Sequence, residues 1–276
     1  MVRMFGFIGN RPDLGAHVLE SSADVLRVSR SDGEPLGWGL GFFQSGEVLL
    51  RRRPIDERDE IDLVEAASDL RTDVLIAHVR RASVGALRTE NTHPFRYRSW
   101  LWAQTGTILG FDRLRERLLA SQPEFLRRNV RGETDSELLF YLFLSFLHDA
   151  GSLHDGNVSP EAIGAALRAS ISLVDRLSAE EGFERNGGDV LVTNGERMVA
   201  VHRNGNMAFR TLKGRFDIEG LLGEEGLRRA RIPSIESTHF TLIASELDSI
   251  PVGWTETPAR SLITLTRSDD PVVEPL

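Results

Sequence analysis

Polar residues that could act on a small molecule are concentrated in three short stretches of this sequence. These are His78-Val79-Arg80-Arg81-Ala82-Ser83-Val84-Gly85 with the nearby Asn91-Thr92-His93-Pro94-Phe95, then Trp102-Ala103-Gln104-Thr105-Gly106-Thr107-Ile108, then Gly132-Glu133-Thr134-Asp135-Ser136-Glu137. Arg80 carries a planar guanidinium, which suits a carboxylate because it donates two parallel hydrogen bonds. The three stretches therefore hold the candidate binding residues of the chain.

The residue types that are missing limit the chemistry further. The 276 residues include no cysteine, which excludes a disulfide framework, a thiolate metal site and a thiol nucleophile. Lys213 is the only lysine, so Schiff-base chemistry has one candidate. The seven histidines show no clustered spacing, and we therefore expect no metal site and no cofactor.

Charge and hydropathy indicate where the protein works. The formal net charge is −8, which argues against binding to nucleic acid or to an anionic membrane. The longest apolar run, Leu138 to Leu144, is far shorter than the roughly 20 residues of a membrane span. No apolar signal segment follows the first residues, so we expect a cytoplasmic protein. We interpret the excess of arginine over lysine as typical of a GC-rich, bacterial genome.

The elements that must position these residues follow from apolar periodicity and turn signals. Strands are predicted at 4–8, 38–44, 48–52, 74–79, 100–103, 189–193, 198–202, 207–212, 240–244 and 261–266, and helices at 12–26, 61–70, 114–126 with a break at Pro123, from Thr134, and from Ser159. Asn194-Gly195 and Asn204-Gly205 predict two-residue hairpins. Thr134 and Glu137 predict a capping box. The helix after them is apolar almost all round, so it must be buried on every side. These elements predict one α+β domain over residues 1–276, with helices outside a sheet-on-sheet core.

Five motifs in order resemble the class II, N-terminal-nucleophile glutamine amidotransferases. They are the N-terminal MVRMFGFIG, Gly37-Trp38-Gly39-Leu40-Gly41, and the three polar stretches. The sequence is most similar to the single-domain branch that includes the ergothioneine-pathway amidohydrolase. The resemblance implies a four-layer αββα sandwich.

The resemblance also implies a mechanism and a set of residues. In this family a cysteine after the initiator methionine attacks the glutamine amide, and its own α-amine is the base. An Asn-Gly pair forms the oxyanion hole. Carried onto this chain, Arg80 matches the arginine for the substrate carboxylate, Asp135 the aspartate for its ammonium group, and Gly106 the oxyanion glycine. Val2 stands in place of the nucleophile and Thr105 in place of the oxyanion asparagine.

Further candidate ligand-binding residues lie within the same motifs, and each motif also has a structural interpretation. The further candidates are His78, Ser83, Asn91 and His93. The histidines would otherwise be hydrogen-bonded structural residues, Arg80 an ordinary ion-pair partner, and Thr134-Asp135 a helix start. Two departures from the family pattern favour a natural degenerate member over a single laboratory substitution at Val2.

We therefore expect a pseudoenzyme of this family without its glutaminase chemistry. It would bind an amino acid or a γ-glutamyl compound, or act as a non-catalytic partner of a synthase or an active amidotransferase. The alternatives are an active amidohydrolase with an altered mechanism, in which the α-amine of Val2 is the base and Thr105, Ser83 or a water takes part, and an inactivated variant of a glutamine amidohydrolase.

Overall fold

Two antiparallel sheets lie face to face at the centre of the molecule in a computed structural model, which describes residues 4–29, 36–81, 84–184, 186–230 and 235–276. The strands are β1 (Met4–Gly9), β2 (Arg27–Ser29), β3 (Leu36–Gln44), β4 (Glu47–Asp56), β5 (Glu60–Asp62), β6 (Val74–Arg80), β7 (Phe95–Tyr97), β8 (Trp100–Gln104), β9 (Val190–Thr193), β10 (Arg197–His202), β11 (Met207–Lys213), β12 (His239–Ser245), β13 (Thr255–Glu256), β14 (Ser261–Thr266) and β15 (Val272–Pro275). The helices are α1 (Gly15–Glu20), α2 (Ala23–Leu26), α3 (Leu63–Ala67), α4 (Phe111–Ala120), α5 (Glu124–Arg127), α6 (Asp135–Asp149), α7 (Pro160–Glu180) and α8 (Gly214–Ala230).

The strand orders show how the two sheets are built. One sheet has the order β13-β11-β12-β1-β6-β3-β4 and the other the order β15-β14-β10-β9-β8-β7, while β2 and β5 form a separate small ladder. β1 lies in the middle of the first sheet, between β12 and β6. The amino-terminal strand is therefore buried on both edges.

Strand periodicity sorts the core into three apolar layers. In β1, Phe5 and Phe7 pack with α1, α2, α3 and α8 on one face. Met4 and Ile8 point the other way, into the layer between the sheets. A third layer lies between the second sheet and α4 to α7. Because neighbouring side chains of a strand alternate between its faces, each sheet is covered on both faces, and the predicted four-layer αββα sandwich is confirmed.

The helix α6 is buried almost all round, as its apolar sequence predicts. Trp100 and Trp102 of β8 contact Phe140 and Phe143, with ring centroids 5.4 to 5.7 Å apart, and α4, α5 and α7 pack on its other sides. The predicted capping box is only half present. Thr134 Oγ1 accepts from the Glu137 amide at 3.3 Å, but the Glu137 carboxylate accepts from the preceding loop.

Three local predictions are wrong. Asn204-Gly205 does not form a two-residue hairpin, because β10 and β11 belong to different sheets and this segment crosses between them. The Asn204 side chain is bonded to the Gly188 amide instead. The helix expected over 12–26 is divided into α1 and α2. The helix expected over 61–70 covers only Leu63–Ala67. It begins at Leu63 because Asp62 caps its first turn.

No helix within the described ranges is long and apolar enough to cross a membrane.

Candidate functional site

The ends of β6 and β8 and the first turn of α6 meet at one small cavity. His78 and Arg80 come from β6, Gln104 and Gly106 from β8 and the turn after it, and Asp135 from α6. The cavity volume is about 20 Å³, enough for one water molecule. Pockets that enclose small ligands usually measure roughly 300–1,000 Å³. The structure thus brings the sequence motifs together around a small cavity.

The Arg80 guanidinium is bound by the loop that follows β6. Its Nη1 donates to the Ala86 carbonyl at 3.0 Å, and its Nη2 donates to the carbonyls of Val84 at 2.9 Å and Gly85 at 3.0 Å. Burial lowers the pKa of Arg80, and the nearby Asp135 carboxylate opposes that shift. Arg80 therefore fixes its own loop, and both terminal nitrogens donate to the main chain.

The Asp135 carboxylate is likewise bonded to the main chain. Its Oδ2 accepts from the Ile108 amide at 2.6 Å, and its Oδ1 accepts from the Ser136 amide at 2.9 Å. Burial raises the pKa of Asp135, while these amides and the Arg80 charge lower it. Among the described residues, no ion pair within 4 Å joins Arg80 to Asp135. The two opposite charges line the same cavity, and each is hydrogen-bonded to main-chain groups.

Thr105 lies beside this cavity with its side chain turned into the fold. Its hydroxyl oxygen accepts from the Asp189 amide at 3.0 Å, and its own amide donates to the Asp189 carbonyl at 2.9 Å. Gly106 has a φ of +79° and lines the cavity. A Cβ on Gly106 would lie 2.8 Å from the Gly188 Cα, so two backbones cross here at a distance that only glycine permits.

The two histidines form a buried pair. The ring centroids of His78 and His93 are 4.2 Å apart, and His93 also packs against Phe95 at 4.5 Å. His78 Nε2 lies 3.1 Å from the Gln104 carbonyl oxygen. Both histidines line the cavity.

Asn91 connects two of the motifs through its side chain. Its Nδ2 donates to the Ala86 carbonyl at 3.0 Å, and its Oδ1 accepts from the Glu133 amide at 2.8 Å. Asn91 therefore ties the loop after β6 to the segment before α6, and it does not line the cavity.

Val2 and Ser83 lie outside the described residues. Gln104 lines the cavity, and its buried side-chain oxygen has no hydrogen-bond partner among the described residues. Gln104 lies in the second polar stretch of the sequence, directly after the strand predicted over 100–103, and the alternation along β8 places it on the α6 side of the sheet.

Asp189 is a second buried acid that sequence analysis missed. Its Oδ1 accepts from the Arg203 amide at 2.8 Å, whereas its Oδ2 has no partner among the residues that the structure describes. Burial raises the pKa of Asp189 to about 6, against the Arg203 amide and the His202 charge. Asp189 thus ionises in the folded protein at a higher pH than in the unfolded chain.

The substitution Asp189→Asn is expected to change how stability depends on pH. Between pH 4 and 6 the folded wild type binds more protons than the unfolded chain, so its free energy of unfolding falls as the pH rises. A shift from the ordinary 3.8 to about 6 corresponds to about 3 kcal/mol. The asparagine side chain cannot ionise. When the pH is raised from 4 to 7, the free energy of unfolding of the variant should therefore increase relative to that of the wild type by up to this amount. Urea unfolding at both pH values measures it, and a pH-independent difference would contradict the assignment.

The described residues contain no group of three His, Asp or Glu side chains that could hold a metal ion.

Comparison with known proteins finds a family match and relatives for this chain. The family model described as class II glutamine amidotransferases matches residues 16–219. The probable glutamine amidotransferase DUG3 of Saccharomyces cerevisiae is 25% identical over 97% of this chain and 82% of its own length. An uncharacterised protein of Methanocaldococcus jannaschii is 35% identical over 122 residues, which are 42% of this chain. This chain spans only 32% of that relative.

Solved structures show the same fold over nearly the whole chain. A glutamine aminotransferase class-II domain protein from Silicibacter pomeroyi superposes with a TM-score of 0.60 at 17% identity, over 99% of this chain and 98% of the other. The glutamine phosphoribosylpyrophosphate amidotransferase of Bacillus subtilis superposes with a TM-score of 0.53 at 14% identity, over 99% of this chain and 48% of the other.

Proposed function

Because this chain belongs to the class II glutamine amidotransferases, we propose that it is a non-catalytic member of them, which acts as a partner subunit rather than as a glutaminase. The observation that carries this proposal is the absence of cysteine from all 276 residues. The side chain of valine at position 2 has no lone pair with which to attack an amide. No thiol elsewhere in the chain can replace it.

The cavity geometry supports the same conclusion from the side of substrate recognition. The resemblance matches Arg80 and Asp135 to the residues that hold the two ends of glutamine, and here their polar atoms are bonded to main-chain groups. These bonds use three of the five N–H donors of Arg80 and two of the lone pairs of Asp135, but a ligand would still have to open a cavity of about 20 Å³. We therefore favour the partner role over the binding of an amino acid or a γ-glutamyl compound.

An altered amidohydrolase mechanism is the other candidate function. It would use the α-amine of Val2 as the base and Thr105, Ser83 or a water as a reacting group. Against it, the Thr105 hydroxyl oxygen accepts a hydrogen bond from the buried Asp189 amide and lies outside the cavity lining.

The kind of partner follows from the family. The phosphoribosylpyrophosphate amidotransferase chain is about twice as long as the part that this protein matches, so in that protein the same fold accompanies further chain. We propose that this protein supplies a single domain over residues 1–276, in the cytoplasm, to a synthase or to an active amidotransferase.

Calorimetric titration with L-glutamine and with a γ-glutamyl dipeptide separates the partner role from ligand binding. We expect no saturable heat at ligand concentrations up to well above 1 mM, where a Kd of 1 mM corresponds to a binding free energy of about −4 kcal/mol, because the Arg80 cavity measures only about 20 Å³. The matched control is Arg80→Met, which removes the guanidinium. Saturable binding to wild type that Arg80→Met abolishes would replace the partner role by the ligand-binding one.

A further inference from the structure

A second and much larger cavity lies between β4, the β7–β8 hairpin and the first turns of α6. Its volume is about 540 Å³, within the usual range for small-molecule sites. None of its lining residues is shared with the Arg80 cavity. We propose that this cavity binds a small organic anion that carries a planar ring.

The cavity concentrates positive charge in an acidic chain. Arg52, Arg96, Arg98 and Arg131 line it together with two acids, Glu90 and Glu137, although the net charge of the chain is −8. Within the described part of the chain, none of these four arginines has an acidic partner within 4 Å. Arginines elsewhere in the fold do form such pairs, for example Arg51 with Asp69 and Arg203 with Asp175.

The two acids do not neutralise this cluster. Glu137 is buried, and its carboxylate accepts from the Arg131 amide at 2.9 Å and from the Gly132 amide at 2.7 Å. Burial raises the pKa of Glu137, and the charges of Arg52 and Arg131 act in the opposite direction. The four arginines exceed the two acids by two positive charges, and each guanidinium has the planar donor fork that recognises carboxylate or phosphate.

Arg52 is the cation that most needs an anion. Its side chain is half-buried, and burial lowers its pKa against the more distant charges of Glu90 and Glu137. Its Nη1 donates to the Thr92 carbonyl at 3.1 Å. The other guanidinium donors are open to a ligand, since a guanidinium has five N–H groups. A partly desolvated cation without a counter-ion is costly, and an oxyanion in the cavity would offset that cost.

Aromatic side chains provide the rest of the wall. Phe95, Tyr97 and Tyr141 line the cavity, and the Tyr97 and Tyr141 rings meet edge to face with centroids 6.0 Å apart. The Tyr141 hydroxyl donates to the Asn129 carbonyl at 3.1 Å, which fixes that ring. Flat apolar walls next to guanidinium groups favour a ligand with a ring on one end and the charge on the other.

The backbone at Arg98 supplies an independent argument. Arg98 has a φ of +52° in the two-residue turn between β7 and β8, where glycine or asparagine is the favoured residue. The Arg98 guanidinium lies 5.8 Å from the centre of the Tyr97 ring, at the rim of the cavity. A left-handed arginine is strained, and such strain is typical of positions that serve a site.

Calorimetry with four probes tests the proposal: phenyl phosphate, benzoate, inorganic phosphate and benzamide. Phenyl phosphate or benzoate should bind wild type about tenfold or more tightly than neutral benzamide, because hydrogen bonds to a charged group are the stronger ones. Either should also bind more tightly than inorganic phosphate, which lacks the ring. The two aromatic anions distinguish a phosphate ligand from a carboxylate ligand.

Variants separate binding from folding. Arg98→Asn together with Arg131→Gln should weaken the aromatic anion about tenfold or more, while Arg98→Asn alone should keep or raise Tm, because asparagine tolerates a positive φ. The matched control, Arg127→Gln with Arg176→Gln, removes the same charge from two exposed sites outside the cavity and should leave the affinity unchanged. Equal affinity for benzamide and the aromatic anions, equal affinity for inorganic phosphate, equal loss in both double variants, or no binding at all would overturn the proposal.

Discussion

The substitution Gly188→Ala is expected to destabilise the protein by at least about 3–4 kcal/mol. Gly188 has a φ of +102°, and a Cβ there would lie 2.0 Å from the Thr105 carbonyl oxygen. That oxygen belongs to the main chain, so it cannot rotate away as a side chain would. The new methyl group must separate the two backbones that cross beside the Arg80 cavity. Urea unfolding at pH 7 measures the loss.

Gly156→Ala is the matched control for that substitution. Gly156 lies in the loop before α7, and nothing lies within 4 Å of the position that its Cβ would take. The free energy of unfolding of the Gly156→Ala variant should therefore differ from that of the wild type by no more than about 0.5 kcal/mol. If Gly188→Ala were as stable as Gly156→Ala, the close approach of Thr105 and Gly188 would not exist in the folded protein.

Glutamine hydrolysis by this protein is expected to be about a million-fold slower than by a class II amidotransferase that has its cysteine. Removal of an essential nucleophile alone has an effect of that order. The loss of one oxyanion donor, for which Thr105 stands in place of asparagine, has an effect of about 10²–10³. The two effects need not add, but either would bring ammonia release close to background. The measurement is ammonia release from L-glutamine, with an active family member assayed in parallel.

The small volume of the Arg80 cavity determines what we expect when the missing thiol and the missing asparagine amide are restored. Valine and cysteine are similar in size, so Val2→Cys should disturb packing little. Thr105→Asn would supply the amide of the family's oxyanion hole. The sequence alone predicts weak recovery if the pocket is open. Because the cavity measures about 20 Å³ and the Thr105 hydroxyl is bonded to Asp189, the structure instead predicts that the double variant stays inactive.

Most of the architecture could be predicted from the sequence, because apolar periodicity determines it. Alternation along β1 places Phe5 and Met4 in different layers, and the all-apolar face pattern of α6 predicts its burial. The prediction of a hairpin at Asn204-Gly205 is wrong, because a turn dipeptide favours a local chain reversal but does not determine which sheet the next strand joins. The same limit applies to Glu137, whose side chain selects loop amides over its own helix end.

The candidate site could be predicted less completely. The order of the motifs places Arg80, Gly106 and Asp135 at one cavity, because each follows or begins an element whose end meets that point. Residue types do not show which groups a side chain bonds. From residue type alone, Arg80 and Asp135 could each bind a substrate or form hydrogen bonds with the main chain. Only the positions of residues 84–86, Ile108 and Ser136 show that both side chains are hydrogen-bonded to the main chain.

Ammonia release from L-glutamine by purified wild-type protein, Val2→Cys, and Val2→Cys with Thr105→Asn tests the central claim most directly. Unchanged thermal unfolding confirms that each variant is folded, and mass spectrometry confirms removal of Met1. We predict background release from all three proteins, because the wild type has no thiol and the Arg80 cavity has no room for glutamine. Release from wild type that scales with protein concentration and survives repurification would contradict the absence of catalysis. Family-like turnover by either variant would contradict the claim that the Arg80 cavity has no room for glutamine.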